Sequence, residues 1–119
     1  MKQLLEVKNL LHEADQMDSL YTYKKIGLLN GNIFNVVQVA DRTLDFHVHP
    51  HSDELFYVIE GEFMLETRDQ QIKVGSGEFV IVPKGVEHRP VVTGLTKFLM
   101  VEQVGTLNKE NSGNSYKQI

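Results

Sequence analysis

Two hydrophobic periods divide the chain. Over residues 3–16, Leu4, Val7, Leu11 and Ala14 fall on one helical face, with Leu10 beside it and charges covering the rest. That spacing predicts a single helix. From Tyr21 to Val104 the helical period disappears, and short β-branched and aromatic runs replace it, cut by glycine and proline. The runs fall at 21–29, 33–40, 43–48, 54–60, 62–68, 71–74, 79–82, 88–92 and 96–103. Short strands with turn signals at this spacing predict an all-β sandwich or barrel.

The breaks between runs have physical causes. Asn30-Gly31-Asn32 supplies positive φ for a hairpin. Gly61 follows an apolar strand and lets the chain reverse, and Asp69-Gln70 sits where a hairpin tip is expected. Gly75-Ser76-Gly77 and Pro83-Lys84-Gly85 bracket the short strand Phe79 to Val82. The expected organisation is a helix and lead-in over 1–20, a β-barrel over 21–104 and a polar tail over 105–119. The tail is either disordered or laid along the barrel through Leu107 and Tyr116.

Composition narrows the function classes. A chain of 119 residues with 41% hydrophobic and 24% charged residues fits one soluble globular domain. The absence of cysteine excludes a disulfide scaffold, a thiolate zinc site, an iron–sulfur cluster and a cysteine nucleophile. A net charge of −4 repels phosphate backbones and anionic lipid, so neither nucleic acid nor membrane is an expected partner. The longest apolar run, Leu55 to Ile59, is far short of a bilayer span. Glu6 and Lys8 interrupt the N-terminal apolar stretch, which argues against a secretory signal and makes the cytoplasm the expected compartment.

Four of the five histidines lie between residues 47 and 88. In the segment Phe46-His47-Val48-His49-Pro50-His51-Ser52-Asp53-Glu54, strand alternation points His47 and His49 the same way. Pro50 ends regular pairing, and Glu54 opens the next strand on a face shared with Phe56 and Val58. A second segment, Gly77 to His88, runs through a strand and the Pro83-x-Gly85 turn, which would return His88 beside the first cluster. Three imidazoles and one carboxylate there would face a divalent cation with about two positions left open in six-coordination. Open positions are what a catalytic metal site keeps and a structural site closes.

These residues closely resemble the two motifs of the cupin family. The first, His-x-His, four residues, Glu, six residues, Gly, is matched by His47, His49, Glu54 and Gly61. The second, Gly, five residues, Pro-x-Gly, two residues, His, is matched by Gly77, Pro83, Gly85 and His88. Asp41 stands where the family's leading glycine falls, and Val92 where an asparagine often follows the last histidine; neither position is a ligand in the family. The resemblance implies a double-stranded β-helix, a jelly-roll-like conical barrel of two antiparallel sheets with one short N-terminal helix. It implies His47, His49, Glu54 and His88 as ligands of one divalent transition metal per chain: iron, manganese, nickel, zinc or cobalt. It also supports a homodimer.

The remaining candidates divide by parity and position. His51 follows Pro50 and is expected on the rim, and His12 on the polar side of the helix. Leu55, Tyr57 and Ile59 face away from Glu54, either under the N-terminal helix or in a dimer interface. Arg42, Arg68 and Arg89 are scattered, with Arg89 outward. Tyr23, Tyr57 and Glu62 are candidate acids or bases that nothing in the sequence separates. The inferred pocket lining is Phe56, Val58, Phe63 or Met64, Val92, and Phe98 or Met100. It suits an aromatic or enol-type substrate better than a sugar phosphate. The expected function is a metal-dependent enzyme on a small organic substrate, of dioxygenase or isomerase/lyase type. The alternative is a non-catalytic module that binds a metal and a small ligand.

Overall fold

The computed structural model describes residues 5–106. Their order is α1 (Leu10–Asp15), β1 (Lys24–Leu29), β2 (Asn32–Val39), β3 (Arg42–Thr43), β4 (Glu54–Glu60), β5 (Glu62–Glu66), β6 (Gln71–Gly75), β7 (Phe79–Val82), β8 (Arg89–Val92) and β9 (Thr96–Gln103). The strands form two antiparallel sheets, β1-β2-β9-β4-β7 and β3-β8-β5-β6. The all-β expectation holds.

Alternation builds the core. Glu54, Phe56 and Val58 of β4 are buried while Leu55, Tyr57 and Ile59 are half-buried. The inward row joins Val37, Phe63, Leu65, Val74, Val82, Val92, Phe98 and Met100 between the sheets. Phe56, Phe63 and Phe98 pack with ring centroids 4.8–6.2 Å apart and close the interior with tilted and edge-to-face contacts. Of the alternatives for the lining, Phe63 lies inside and Met64 does not, while Phe98 and Met100 both do.

A second cluster lies outside the five-stranded sheet. Ala14, Ile26, Val36 and Leu99 are buried there, with Leu10, Met17, Tyr57 and Ile59 packed against them. Tyr57 and Ile59 thus lie under the helix. On the edge strand β7, Phe79 and Ile81 remain 61% and 51% exposed; Phe79 pairs with Tyr57 and Ile81 with Leu55.

The helix is shorter than its sequence period suggests. It spans Leu10–Asp15, not 3–16, because Asn9 caps it: its side chain accepts from His12 N at 2.9 Å and its carbonyl from Glu13 N at 2.9 Å. The buried stripe is therefore Leu10, Ala14 and Met17. Leu5 and Val7 are fully exposed, so among the described residues the turn expected before Asn9 has nothing to bury against. Leu4, and with it Leu107 and Tyr116 of the tail, lies outside the described residues.

The hairpins form where the turn chemistry predicts. Asn30 and Gly31 both take positive φ, 50° and 78°, joining β1 to β2 in a two-residue turn. Thr67 N donates to Gln70 O at 2.9 Å across the Asp69-Gln70 tip. The strand expected over 43–48 shrinks to Arg42–Thr43, followed by one isolated bridge between His47 and His88. Among the described residues no helix is long and apolar enough to cross a membrane.

Candidate metal centre

The four residues singled out by spacing meet at one end of the interior. His47, His49, Glu54 and His88 each offer a ligand-type atom, all within 4.8 Å of one another. His49, Glu54 and His88 are buried and His47 is half-buried. Glu54 Oε1 lies 3.1 Å from His88 Nε2 and 3.5 Å from His49 Nε2. Ring centroids are 4.5 Å apart for His47–His88, 5.1 Å for His47–His49 and 5.7 Å for His49–His88.

Backbone carbonyls orient two of the imidazoles. His47 Nδ1 is 2.9 Å from Asp45 O, and His88 Nδ1 is 2.9 Å from Val86 O. A carbonyl only accepts, so each Nδ1 carries a proton, and each Nε2 is turned toward the cluster. Neutral rings would set their Nε2 lone pairs against a carboxylate, which calls for a cation among them: a metal ion, or the proton that lets the rings hydrogen-bond to Glu54. Four donors about 2.1 Å from one ion would lie about 3.0–4.2 Å apart, within roughly half an ångström of the spread observed. The donor set, nitrogen-rich with one hard oxygen, suits a divalent transition ion.

The electrostatics agree with that chemistry. Burial acts to raise the Glu54 pKa, but hydrogen bonds with His49, His88 and Glu102 outweigh it and hold the carboxyl well below its ordinary range. Burial lowers the His47 pKa, against the opposing hydrogen bond to Asp45, so the ring stays neutral near pH 7.

Glu102 is a participant that reading by motif passes over. It is 1% exposed and stands directly opposite Glu54 in the β4–β9 register. Its signal is parity: Phe98 and Met100 point inward on β9, and Glu102 is the next residue of that row.

Other expectations divide. His51 is exposed and lines a small polar recess with Asn32, Ser52, Asp53, Lys84 and Gln103, on the rim as expected. His12 is exposed on the helix. Of the acid–base candidates, Tyr23 is buried in the interior cluster; Tyr57 packs outside the sheet and Glu62 is largely exposed beside Lys73. The arginines are less scattered than the sequence suggests. Arg68 and Arg89 stack on Phe46, 3.9 and 4.4 Å from its ring centroid, because the β5–β6 tip and β8 are neighbours. Each is matched by a carboxylate at 2.8 Å, Glu87 for Arg68 and Glu66 for Arg89, so the pair is not an anion site. Arg42 lies apart, over the Tyr21 ring.

Comparison with known proteins agrees with this geometry. The sequence model described as "Cupin domain" matches residues 35–102. The uncharacterized protein YdbB of Bacillus subtilis (strain 168) is 32% identical over 85 residues, covering 71% of this chain and 74% of that protein. The tetracenomycin polyketide synthase protein TcmJ of Streptomyces glaucescens is 25% identical over 89 residues, covering 75% of this chain and 60% of that protein. A crystal structure of a cupin-2 domain protein from Shewanella frigidimarina superposes with a TM-score of 0.77 at 31% identity, over 82% of this chain and 94% of the other.

Proposed function

The chain belongs to the cupin family, and from that premise we propose a metal-dependent enzyme that takes a small organic substrate with adjacent enol and carbonyl oxygens. The observation that carries the reading is the convergence of His47, His49, Glu54 and His88 within 4.8 Å at the end of an apolar interior. These four residues would hold one divalent ion, of the iron, manganese, nickel, zinc or cobalt group. When bound, such an ion supplies Lewis acidity and, for redox-active metals, access to dioxygen chemistry.

The chain's own residues do the rest. Asp45 O and Val86 O orient His47 and His88, and Glu102 orients the Glu54 carboxylate through their hydrogen bond. Phe56, Phe98 and Met100 exclude water and favour a planar, weakly polar substrate body. The name of the S. glaucescens relative places that protein with a polyketide synthase. Polyketides are runs of carbonyls whose enols present oxygens in pairs, which supports the same substrate class here. Dioxygenase and isomerase or lyase chemistry both begin from such an enol.

The reading takes the cytoplasm as the compartment and a small molecule as the partner. The net charge of −4 argues against nucleic acid. Homodimerisation through the β7 edge is part of it, supported by Phe79 and Ile81, which α1 leaves exposed. One observation favours a non-catalytic binding module instead: Tyr57 and Glu62 both lie away from the cluster.

The test is anaerobic loading of untagged protein with iron(II), followed by metal analysis and oxygen uptake on a panel of enols and 1,3-diketones. One metal per chain with uptake or a new product supports the enzyme. One metal with ligand binding and no conversion supports the module. Substoichiometric metal overturns both.

A further inference from the structure

Asn35 is a buried polar group that the fold itself does not use. It is 1% exposed, and among the described residues neither its amide nitrogen nor its amide oxygen has a hydrogen-bond partner. Ile33, Asn35 and Val37 alternate inward along β2, and Val37 belongs to the interior cluster. Asn35 pairs with Met100 of β9, which in turn pairs with Phe56 of β4, and both of these point inward. Asn35 therefore presents a carboxamide to the same interior as the histidine cluster. It sits two strands across and two residues along from Glu54, about 12 Å away at the usual strand spacing and rise.

Such a residue is costly. A buried amide without partners lowers stability, and its neighbours Met100 and Val37 offer it no strong hydrogen-bonding group. A valine in its place would suit a strand and the apolar wall better. Residues that break the local rule in this way mark recognition sites, because an unmade bond in the free protein becomes a made one with ligand.

We propose that Asn35 is a specificity-determining residue that recognises a second polar group of the substrate, one offering a hydrogen-bond donor and an acceptor side by side. A carboxamide or a hydroxyl beside a carbonyl has that edge. This rests on the metal-dependent reading above, since it takes the substrate's first pair of oxygens to lie at the histidine cluster. The expected substrate is then a flat molecule with two polar ends roughly 7–10 Å apart, joined by an apolar body. Asn35 does not touch the reacting atoms, so its loss should discriminate among substrates without removing the metal.

The experiment uses nickel-loaded protein and two probes, benzoylacetone and its 4-carboxamide, which differ only in the distal group. Nickel stoichiometry and affinity are measured first, without probe, on the parent and on Asn35→Val. Equal nickel binding by the two is expected. Nickel binding by neither is the failure of the metal reading, seen without any probe, and this inference falls with it. Calorimetry with the probes then reads Asn35 alone. The parent should prefer the carboxamide at least tenfold, and Asn35→Val should hold the two probes within twofold. Should Asn35→Val fail to fold, Asn35→Thr, which loses the paired donor and acceptor, should show less than half the parent's preference on a logarithmic scale. A parent without preference, including one that binds neither probe, overturns the proposal, as does a preference that survives substitution. A resident water satisfying the amide would give the first of these results.

Discussion

His47 and His88 exchange both backbone hydrogen bonds, His47 N to His88 O and His88 N to His47 O, each 3.0 Å long. The bridge is isolated from the named strands, yet it joins the two histidine-bearing motifs. The chain cannot shift one motif against the other without breaking it. Gly85 N adds a third tie, donating to His49 O at 2.9 Å. The histidine cluster is therefore tied together by main-chain bonds, and single changes to its side chains are expected to leave the barrel folded.

His49→Ala tests that separation. It removes a buried imidazole 3.5 Å from Glu54 but no backbone bond. Nickel(II) affinity, measured by competition with a chelator, should fall by more than about a hundredfold, beyond the usual effect of residues that only support a ligand. His51→Ala, on the exposed rim, should leave it within a few-fold. Equal losses in both variants would place the ion elsewhere.

Loading the site should stabilise the fold, because the donors converge only in the folded chain. At a metal concentration a hundred times Kd the gain is about 2.7 kcal/mol, or a rise of roughly 10 °C in Tm. Differential scanning calorimetry with and without a chelator measures it. A Tm indifferent to metal would mean that the four side chains bind nothing in the native state.

Most of the barrel was legible because strand parity and turn chemistry are local. Asn30-Gly31, Gly61 and the Pro83-x-Gly85 turn mark reversals whatever surrounds them, and the inward row of β4 follows from alternation alone. Spacing made a cluster of the four site residues feasible, and the resemblance to the cupin motifs implied it. What escaped depends on distant neighbours. The helix begins after Asn9 because residues 5–9 find no surface to cover among the described residues, a fact of packing. Arg68 and Arg89 share Phe46 only because β5 and β8 are paired. Glu102 and Asn35 were readable by parity, but polar residues in the middle of apolar strands look outward until register shows otherwise.

Gly61→Ala should be among the most damaging single-methyl changes. Gly61 has φ of +102°, and a Cβ there would lie 2.8 Å from Leu95 O and 2.9 Å from Thr96 Oγ1. The backbone oxygen cannot move aside, since Thr96 is buried at the start of β9 and its hydroxyl donates to Glu62 O at 2.9 Å. Conformation alone costs about 1–3 kcal/mol, and the contact adds to it. Urea unfolding should show a lower midpoint at unchanged slope. A loss below about 1 kcal/mol would show that the β4–β5 turn can re-form around a side chain.

Lys97 gives the fold a dependence on alkaline pH. Its ammonium bridges Asp15 Oδ1 of the helix at 2.6 Å and Glu60 Oε1 of β4 at 2.5 Å. Hydrogen bonding to Asp15, and then to Glu60, raises its pKa above the ordinary 10.5. A group whose folded pKa is raised binds its proton more tightly in the native state. Its stabilisation is therefore complete below the unfolded pKa and is lost as pH rises through the folded one. Lys97→Met should lower the urea midpoint by a constant amount from pH 7 to about 10, and the gap from the parent should narrow above 10.5. Tyrosine ionisation occurs in both proteins and cancels in the difference. The gap at pH 7 should also shrink in 1 M salt, where surface charge pairs are screened. A gap that ignores both pH and salt would assign the contribution of Lys97 to its methylenes instead of its charge.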